Sequence, residues 1–518
     1  MNKLYIILLV FISIQLNAQE RYLDAEFEVA VEKDKIYGNN ISILTGMPAP
    51  LDLTFDVYTP KDDTETNRPA ILVAHTGSFL PPLFNGGITG SKGDSSVVNI
   101  CRQLASRGYV AVAFTYRAGW LPTSPDQNVR TGTLLQAAYR GIQDARSCVR
   151  HLRETVDVGG NLYGIDPDKI GMVGVGTGSY LAYGCGSVYD FEEVLLEKFI
   201  NTETALPYID SLILGNIYGD TQAALCSPNT PGYSSEIDFA FSLGGALGDA
   251  TWIDGEEREA AFSGIHCTQD IFAPYGDGPV IVPTTNEFVV NVSGNRTAIQ
   301  RANELGNNDV LNDPSVAFAL QENVEVQKTT NVMPALSAPI NMGEDHFYGF
   351  NLPFPQGSPY AFWDFPTLQA VVAGTNAALG TDFNADTLHL NGLATNPDMS
   401  PEKGKAYLDT IITFMTPRAC LALNLNCNLP TNTVEIPAAS VELQLFPNPA
   451  VTSFTINVAD DVTINKVYIY SMDGRMVKAL AKINANQVTM NSEGLNSGMY
   501  AAQIVTEKGT VVKELVIK

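Results

Sequence analysis

The sequence is short of basic residues. Its 31 Lys and Arg stand against 56 Asp and Glu, a formal net charge of −25, and the acidic residues are spread along the chain instead of gathered in runs. A surface of this sign repels phosphate, which excludes nucleic acid and anionic membrane as partners. Long apolar runs are missing as well, except at the start. Leu4–Leu16 is the one such stretch, and it falls short of the ~20 residues a spanning helix needs, so the mature protein is expected to have no transmembrane segment. Lys3 before that run and Asn17-Ala18-Gln19 after it make residues 1–18 read as a secretory signal cut after Ala18. There is no C-x-x-C and no Cys/His cluster, so no metal and no other cofactor is expected.

Cysteine is sparse and odd in number. The seven are Cys101, Cys148, Cys185, Cys226, Cys267, Cys420 and Cys427. Export permits disulfides, but an odd count leaves at least one thiol unpaired. Cys420 and Cys427 are close enough in sequence to staple the end of the main domain, whereas Cys267 reads as a small, inert core residue.

What is present is a long chain with a strongly patterned first part. At 518 residues it exceeds the size at which single cores stop growing, so more than one domain is expected. Leu51, Leu53, Phe55 and Val57 alternate with polar residues, as in a half-exposed strand. Continuous apolar runs follow at Ala70–Ala74, Tyr109–Phe114, Ile170–Val173, Phe239–Leu243 and Ala261–Ile265, which suit a parallel sheet covered on both faces. Helical patterns lie between them at Val97–Arg107 and Leu134–Glu154, and later at Thr297–Leu305 and Tyr407–Pro417. Strands separated by helices at this spacing indicate a doubly wound α/β domain. The excursion from Asp190 to Glu236, rich in Tyr, Gly and Pro, is placed as a lid over the active end of the sheet. Residues 306–399 give no clear periodicity.

The stretch Asp166–Leu181 organises the rest. It reads as a turn, a buried strand, a corner Gly174-Val175-Gly176-Thr177-Gly178 and a helix start, the layout of a nucleophile elbow, where G-x-S-x-G presents a serine above the sheet. Here Gly176 stands at the serine position. From Asn428 to Glu442 the composition shifts to Pro, Thr, Asn and Ala, a linker. Residues 443–518 then give short alternating strands with regular turn residues, a small β-sandwich.

Two resemblances follow. Phe446-Pro447-Asn448-Pro449, Met472-Asp473-Gly474-Arg475, Gly498-Met499-Tyr500 and the closing Lys513–Lys518 resemble the type A sorting domain of type IX secretion cargo. This implies passage through the periplasm, the type IX machinery as partner, and a final location outside the cell or on its outer surface. Residues 19–427 resemble a secreted carboxylesterase or lipase of the α/β-hydrolase superfamily. The residues that carry this are Asp56–Pro60, the loop His75-Thr76-Gly77-Ser78-Phe79, Arg107-Gly108-Tyr109, Tyr116-Arg117, Asp144-Ala145-Arg146, Gly164–Asp168, Gly245–Asp249 and His266–Asp270 with Pro274-Tyr275. The fold implied is a mostly parallel sheet with helices on both faces and a lid insertion.

Acyl transfer needs a nucleophile, a base, an orienting acid and oxyanion donors. The donors implied by the resemblance are the amide of Thr177 and an amide within Thr76, Gly77 and Ser78, and His75 is a structural residue of that loop. Asp270 is the candidate acid, His346 the candidate base and His389 its alternative. With no side chain at Gly176, Thr177 is a poor substitute nucleophile, Ser78 another hydroxyl to consider, and Ser179 reads as a helix N-terminal residue. The expected function is an exported, esterase-like protein that has lost serine catalysis and keeps a pocket for an ester, lipid-like molecule or polymer fragment. Two alternatives stand beside it: an active carboxylic ester hydrolase using Thr177 with Asp270 and His346, and a structural or adhesive surface protein.

Overall fold

The computed structural model describes residues 20–282, 285–313, 345–427, 437–471, 476–506 and 508–518. The signal at 1–18 and the Met472–Arg475 motif lie outside the described residues, as does most of the 428–442 linker. The chain divides into two units, residues 1–429 and 430–518.

The first unit is built on an eight-stranded sheet in the order β1-β2-β4-β3-β5-β6-β8-β11. The strands are β1 (Val29–Ser42), β2 (Ala49–Pro60), β3 (Arg68–Ala74), β4 (Val110–Phe114), β5 (Ile165–Val175), β6 (Phe239–Leu243), β8 (Ala261–Cys267) and β11 (Phe347–Phe350). β1 and β2 pair antiparallel, as do β2 and β4, and every pair from β4 to β11 is parallel. The all-buried strands β3, β4, β6 and β8 correspond to the continuous apolar runs. Their side chains alternate between two cores, as a pleated backbone requires. Ala70, Leu72, Val112 and Met172 join α2 (Gln127–Asp157) and α3 (Gly178–Ser187) on one face. Ile71, Val73, Ala111 and Val173 join α1 (Ser95–Ser106) and the helix Pro401–Ala422 on the other.

Local signals explain several boundaries. α2 begins seven residues before its apolar pattern, because the Asp126 carboxylate caps it by accepting from the Asn128 amide at 2.8 Å. Cys420 and Cys427 form a disulfide at the end of the unit, and the other five cysteines are buried and free. Three elements stand outside the sequence reading. β1 is a charged edge strand half open to solvent. A three-stranded sheet, β7-β10-β9, is formed by Ala246–Leu247, Phe288–Gly294 and Asp277–Ile281. Helices at Phe365–Leu379 and Ala385–Thr395 lie in the stretch without clear periodicity.

The second unit has a three-stranded antiparallel sheet, Gln444–Phe446, Ser453–Asn457 and Gln487–Asn491, and a four-stranded one in the order Met476–Ala485, Ile464–Ser471, Gly498–Thr506, Gly509–Ile517. Phe454, Ile456, Val467, Ile469, Ile504 and Leu515 make its core.

Candidate functional site

The corner follows β5 directly. Gly176 has φ +52° and α3 begins just beyond it, so the strand-to-helix turn runs through the left-handed region that an elbow residue occupies. The flanking glycines serve the backbone. A Cβ on Gly174 would strike the backbone of Gly178 and Ser179, and one on Gly178 would strike the carbonyl of Ala74. Gly176 is different, since a Cβ there would meet a side chain: it collides with Oγ1 of Thr76 and comes within 3.1 Å of the Thr76 Cβ. The threonine that follows β3 therefore fills the space a serine side chain would need.

The two loops at this end of the sheet are tied together. The Ser78 amide donates to Oγ1 of Thr177 at 2.8 Å. That bond occupies one of the amides expected as an oxyanion donor and uses the Thr177 hydroxyl as an acceptor. Ser179 donates from Oγ to the Gly174 carbonyl at 2.9 Å and is fully buried, as a helix-start residue. His75 is buried too. Its ring stacks on Tyr116 at 4.3 Å, its Nδ1 lies 2.5 Å from the Thr76 carbonyl, and the Tyr116 hydroxyl donates to the His75 carbonyl at 2.7 Å. Burial pushes this imidazole down to about 4, against the opposing hydrogen bond to Thr76. The neutral ring carries its proton on Nδ1, because a carbonyl only accepts.

Asp270 lies at the same end of the sheet, just beyond β8. Oδ1 accepts from the Phe272 amide at 2.8 Å, and Oδ2 is 3.4 Å from Nε2 of His266, both side chains being buried. A Cβ on Gly357 would be 2.9 Å from Oδ1, and one on Gly244 would be 2.9 Å from the Tyr360 hydroxyl and 3.5 Å from Oδ2. The next residue, Gly245, abuts the Gly176 carbonyl, where its Cβ would come within 2.5 Å. The carboxylate thus sits behind the elbow, against Gly244, Gly357 and Tyr360.

The structure places His266, and not His346, next to Asp270, with no hydrogen bond to either ring nitrogen of His266 among the described residues. His346 precedes β11, and its carbonyl accepts from the Ser263 hydroxyl at 2.8 Å and the Gly264 amide at 3.2 Å, level with the middle of β8. Phe350, at the other end of β11, pairs with Cys267. At ~3.3 Å per residue, the four residues from Phe350 set His346 roughly 13 Å back along the sheet from that end. Its Nε2 is 3.1 Å from Oδ1 of Asn312, and burial, followed by the Arg418 charge, pushes its ring down to about 4. The chain order acid-then-histidine is as expected, but the histidine comes before the last strand instead of after it. The segment after β11, residues 351–360, contains no histidine, and Gly357 and Tyr360 from it meet Asp270. His389, on the helix Ala385–Thr395, accepts from the Trp363 indole at 3.0 Å and packs on Phe365 at 4.6 Å. Sequence reasoning missed Thr76 as the residue opposite Gly176, and His266, whose signal was its position four residues before the acid on a buried strand.

A cavity of about 100 Å³ extends from this corner. Ser78 and Thr177 lie at its elbow end, Ile142 of α2 and Trp252 flank it, and Phe199 and Ile217 come from the 190–236 excursion. Val292 of β10 completes the wall, so the unforeseen antiparallel sheet contributes to it. Among the described residues no Lys, Arg, Asp, Glu or His lines it. Its aromatic polar groups are largely engaged elsewhere: Trp120 donates to the Arg130 carbonyl at 3.0 Å, Trp252 to Glu193 at 2.6 Å and Tyr139 to Gly215 at 2.9 Å. Such a space favours an apolar occupant.

Sheet, helices on both faces and strand-to-helix corner give the first unit the α/β-hydrolase fold. Among solved structures the chain is similar to Thermogutta terrifontis esterase 2 phosphorylated by paraoxon, at 18% identity and a TM-score of 0.32, over 54% of this chain and 79% of that one. The same thermophilic planctomycete esterase with propionate bound matches at 18% identity and a TM-score of 0.32, over 54% and 80%. Residues 444–518 match the family described as the secretion system C-terminal sorting domain. That domain implies type IX secretion and a destination outside the cell or on its outer surface. Among the described residues no helix is long and apolar enough to cross a membrane. No curated protein matches the sequence.

Proposed function

We propose that this is an exported, esterase-like protein that binds an apolar ester or lipid-like molecule and has lost serine catalysis. The observation that carries the reading is the Thr76 hydroxyl in the space of the missing elbow side chain, opposite Gly176. The absence of a histidine from residues 351–360, the segment after β11 that meets Asp270, supports it, and so does a cavity lined by no charged side chain among the described residues. Thr177 as a displaced nucleophile is the weaker reading, because its hydroxyl accepts from the Ser78 amide and, among the described residues, no histidine ring is hydrogen-bonded to it to take its proton.

The test is a pair of measurements on the exported protein. Turnover of short and medium p-nitrophenyl esters should not exceed the protein-free rate, and a fluorophosphonate probe should leave no adduct. An apolar fluorophore should bind saturably and be displaced by an alkyl ester. Ester turnover that disappears in Asp270→Asn would overturn the non-catalytic reading, and a failure of every apolar probe to bind would remove the pocket from it.

A further inference from the structure

The 190–236 excursion closes one side of the cavity, and α2 holds it there. Gln136 donates to the Tyr208 carbonyl at 2.9 Å, Tyr139 to Gly215 at 2.9 Å, and Gln143 to Leu214 and Asn216, both at 2.7 Å. Arg150 donates to the carbonyls of Tyr218 and Asn229 at 2.6 and 3.0 Å. These donors run along about four turns of the helix. Exchanging one such bond for water costs a net few-fold in population, and more where the donor is charged. Together they make an excursion swung away from α2 rarer than roughly one molecule in a thousand. Its lining residues are shut in to match, since Val194, Phe199, Ile209 and Ile217 are each no more than 5% exposed.

The cavity meets solvent elsewhere. Phe272 is 42% exposed, and every other lining residue is buried or half-buried. It stands in the loop between β8 and β9, two residues after Asp270. Asp270 fixes this loop: the Phe272 amide donates to its Oδ1 at 2.8 Å, and the carboxylate is itself only 3% exposed, packed at Gly357 and 3.4 Å from Nε2 of His266. That role needs no catalytic histidine.

Resting on the apolar-ligand reading above, we propose that the ligand enters the cavity past Phe272, that the 190–236 excursion is a fixed wall and not the moving lid, and that Asp270 is the positioning residue of this entrance. The residue at the place of the catalytic acid then serves access to the pocket.

The test is stopped-flow binding of N-phenylnaphthylamine, an uncharged apolar fluorophore, to the full chain. Phe272→Ala should raise the association rate constant about tenfold and Phe272→Trp should lower it by a similar factor, as expected when entry waits on one side chain. Asp270→Ala, which frees the Phe272 amide, should also raise it, and Asp270→Asn, which keeps an oxygen acceptor for that amide, should restore the wild-type rate. A role in stability alone would give neither opposite signs at Phe272 nor rescue by asparagine. The double variant Asn128→Cys, Thr202→Cys, made where Asn128 Oδ1 accepts from the Thr202 hydroxyl at 3.1 Å, ties the excursion to α2 when oxidised and should leave the rate unchanged. Association that stops on oxidation of that pair, or that is equal in the wild type and both Phe272 variants, overturns the proposal. A fluorophore that binds none of these proteins overturns the pocket reading itself, and the entrance with it.

Discussion

Two residues 100 positions apart decide the character of the elbow. Gly176 leaves the corner without a side chain, and Thr76 occupies the space where its Cβ would stand. Restoring a serine therefore needs both positions. Gly176→Ser alone forces a side chain into Thr76 in a left-handed backbone, which should cost roughly 1–3 kcal/mol and leave the protein unlabelled by a fluorophosphonate. The double variant Thr76→Gly, Gly176→Ser should recover part of that stability in a urea titration and become slowly labelled. With no histidine in residues 351–360, the segment that meets Asp270, it should still lack rapid ester turnover. Labelling of the single variant as fast as the double would show that Thr76 does not block the site.

At the scale of elements, the cavity is assembled from pieces far apart in the chain: α2, α3, the 190–236 excursion and the β9–β10 hairpin. The corner itself was legible as a strand-turn-helix pattern, although only Gly174 is dictated by backbone contact inside it, with Gly178 and Ser179, while Gly178 is dictated by the Ala74 carbonyl of β3. Asp270 was legible as the residue after a buried strand. The position of His346 was not, since chain order does not say on which end of a strand a loop residue falls. β1 was hidden by its charges, and the β7-β10-β9 sheet by its short, irregular strands. Because Ile217 of the excursion lines the cavity and is almost fully buried, Ile217→Trp should fill space there and weaken apolar-probe binding at least tenfold. Unchanged affinity would show that the probe binds elsewhere.

For the whole molecule, the buried titratable groups set an acid flank of two opposing signs. His75 and His346 are each held near 4, below the ordinary value, so the stability tied to their neutral rings is complete above about 6.5 and is lost as pH falls toward 4. Asp94 is pushed up to about 6 by burial, against hydrogen bonds from Gly90 and Ser91. Its cost is present above pH 6 and is relieved as the carboxyl protonates, which flattens the flank. Asp94→Asn removes the opposing group, and its urea midpoint should fall more between pH 7 and pH 4.5 than that of the wild type. An equal fall in both proteins would show that Asp94 does not titrate in this range.

The sequence by itself determined the α/β sheet, the sorting domain and the glycine corner, because strand periodicity, turn chemistry and glycines at a fixed spacing are properties of neighbouring residues. Only the tertiary structure decided what surrounds that corner. It placed Thr76 against Gly176, His266 beside Asp270 and His346 at the far end of β11. Each of these is a contact, or the lack of one, between segments that only packing brings together.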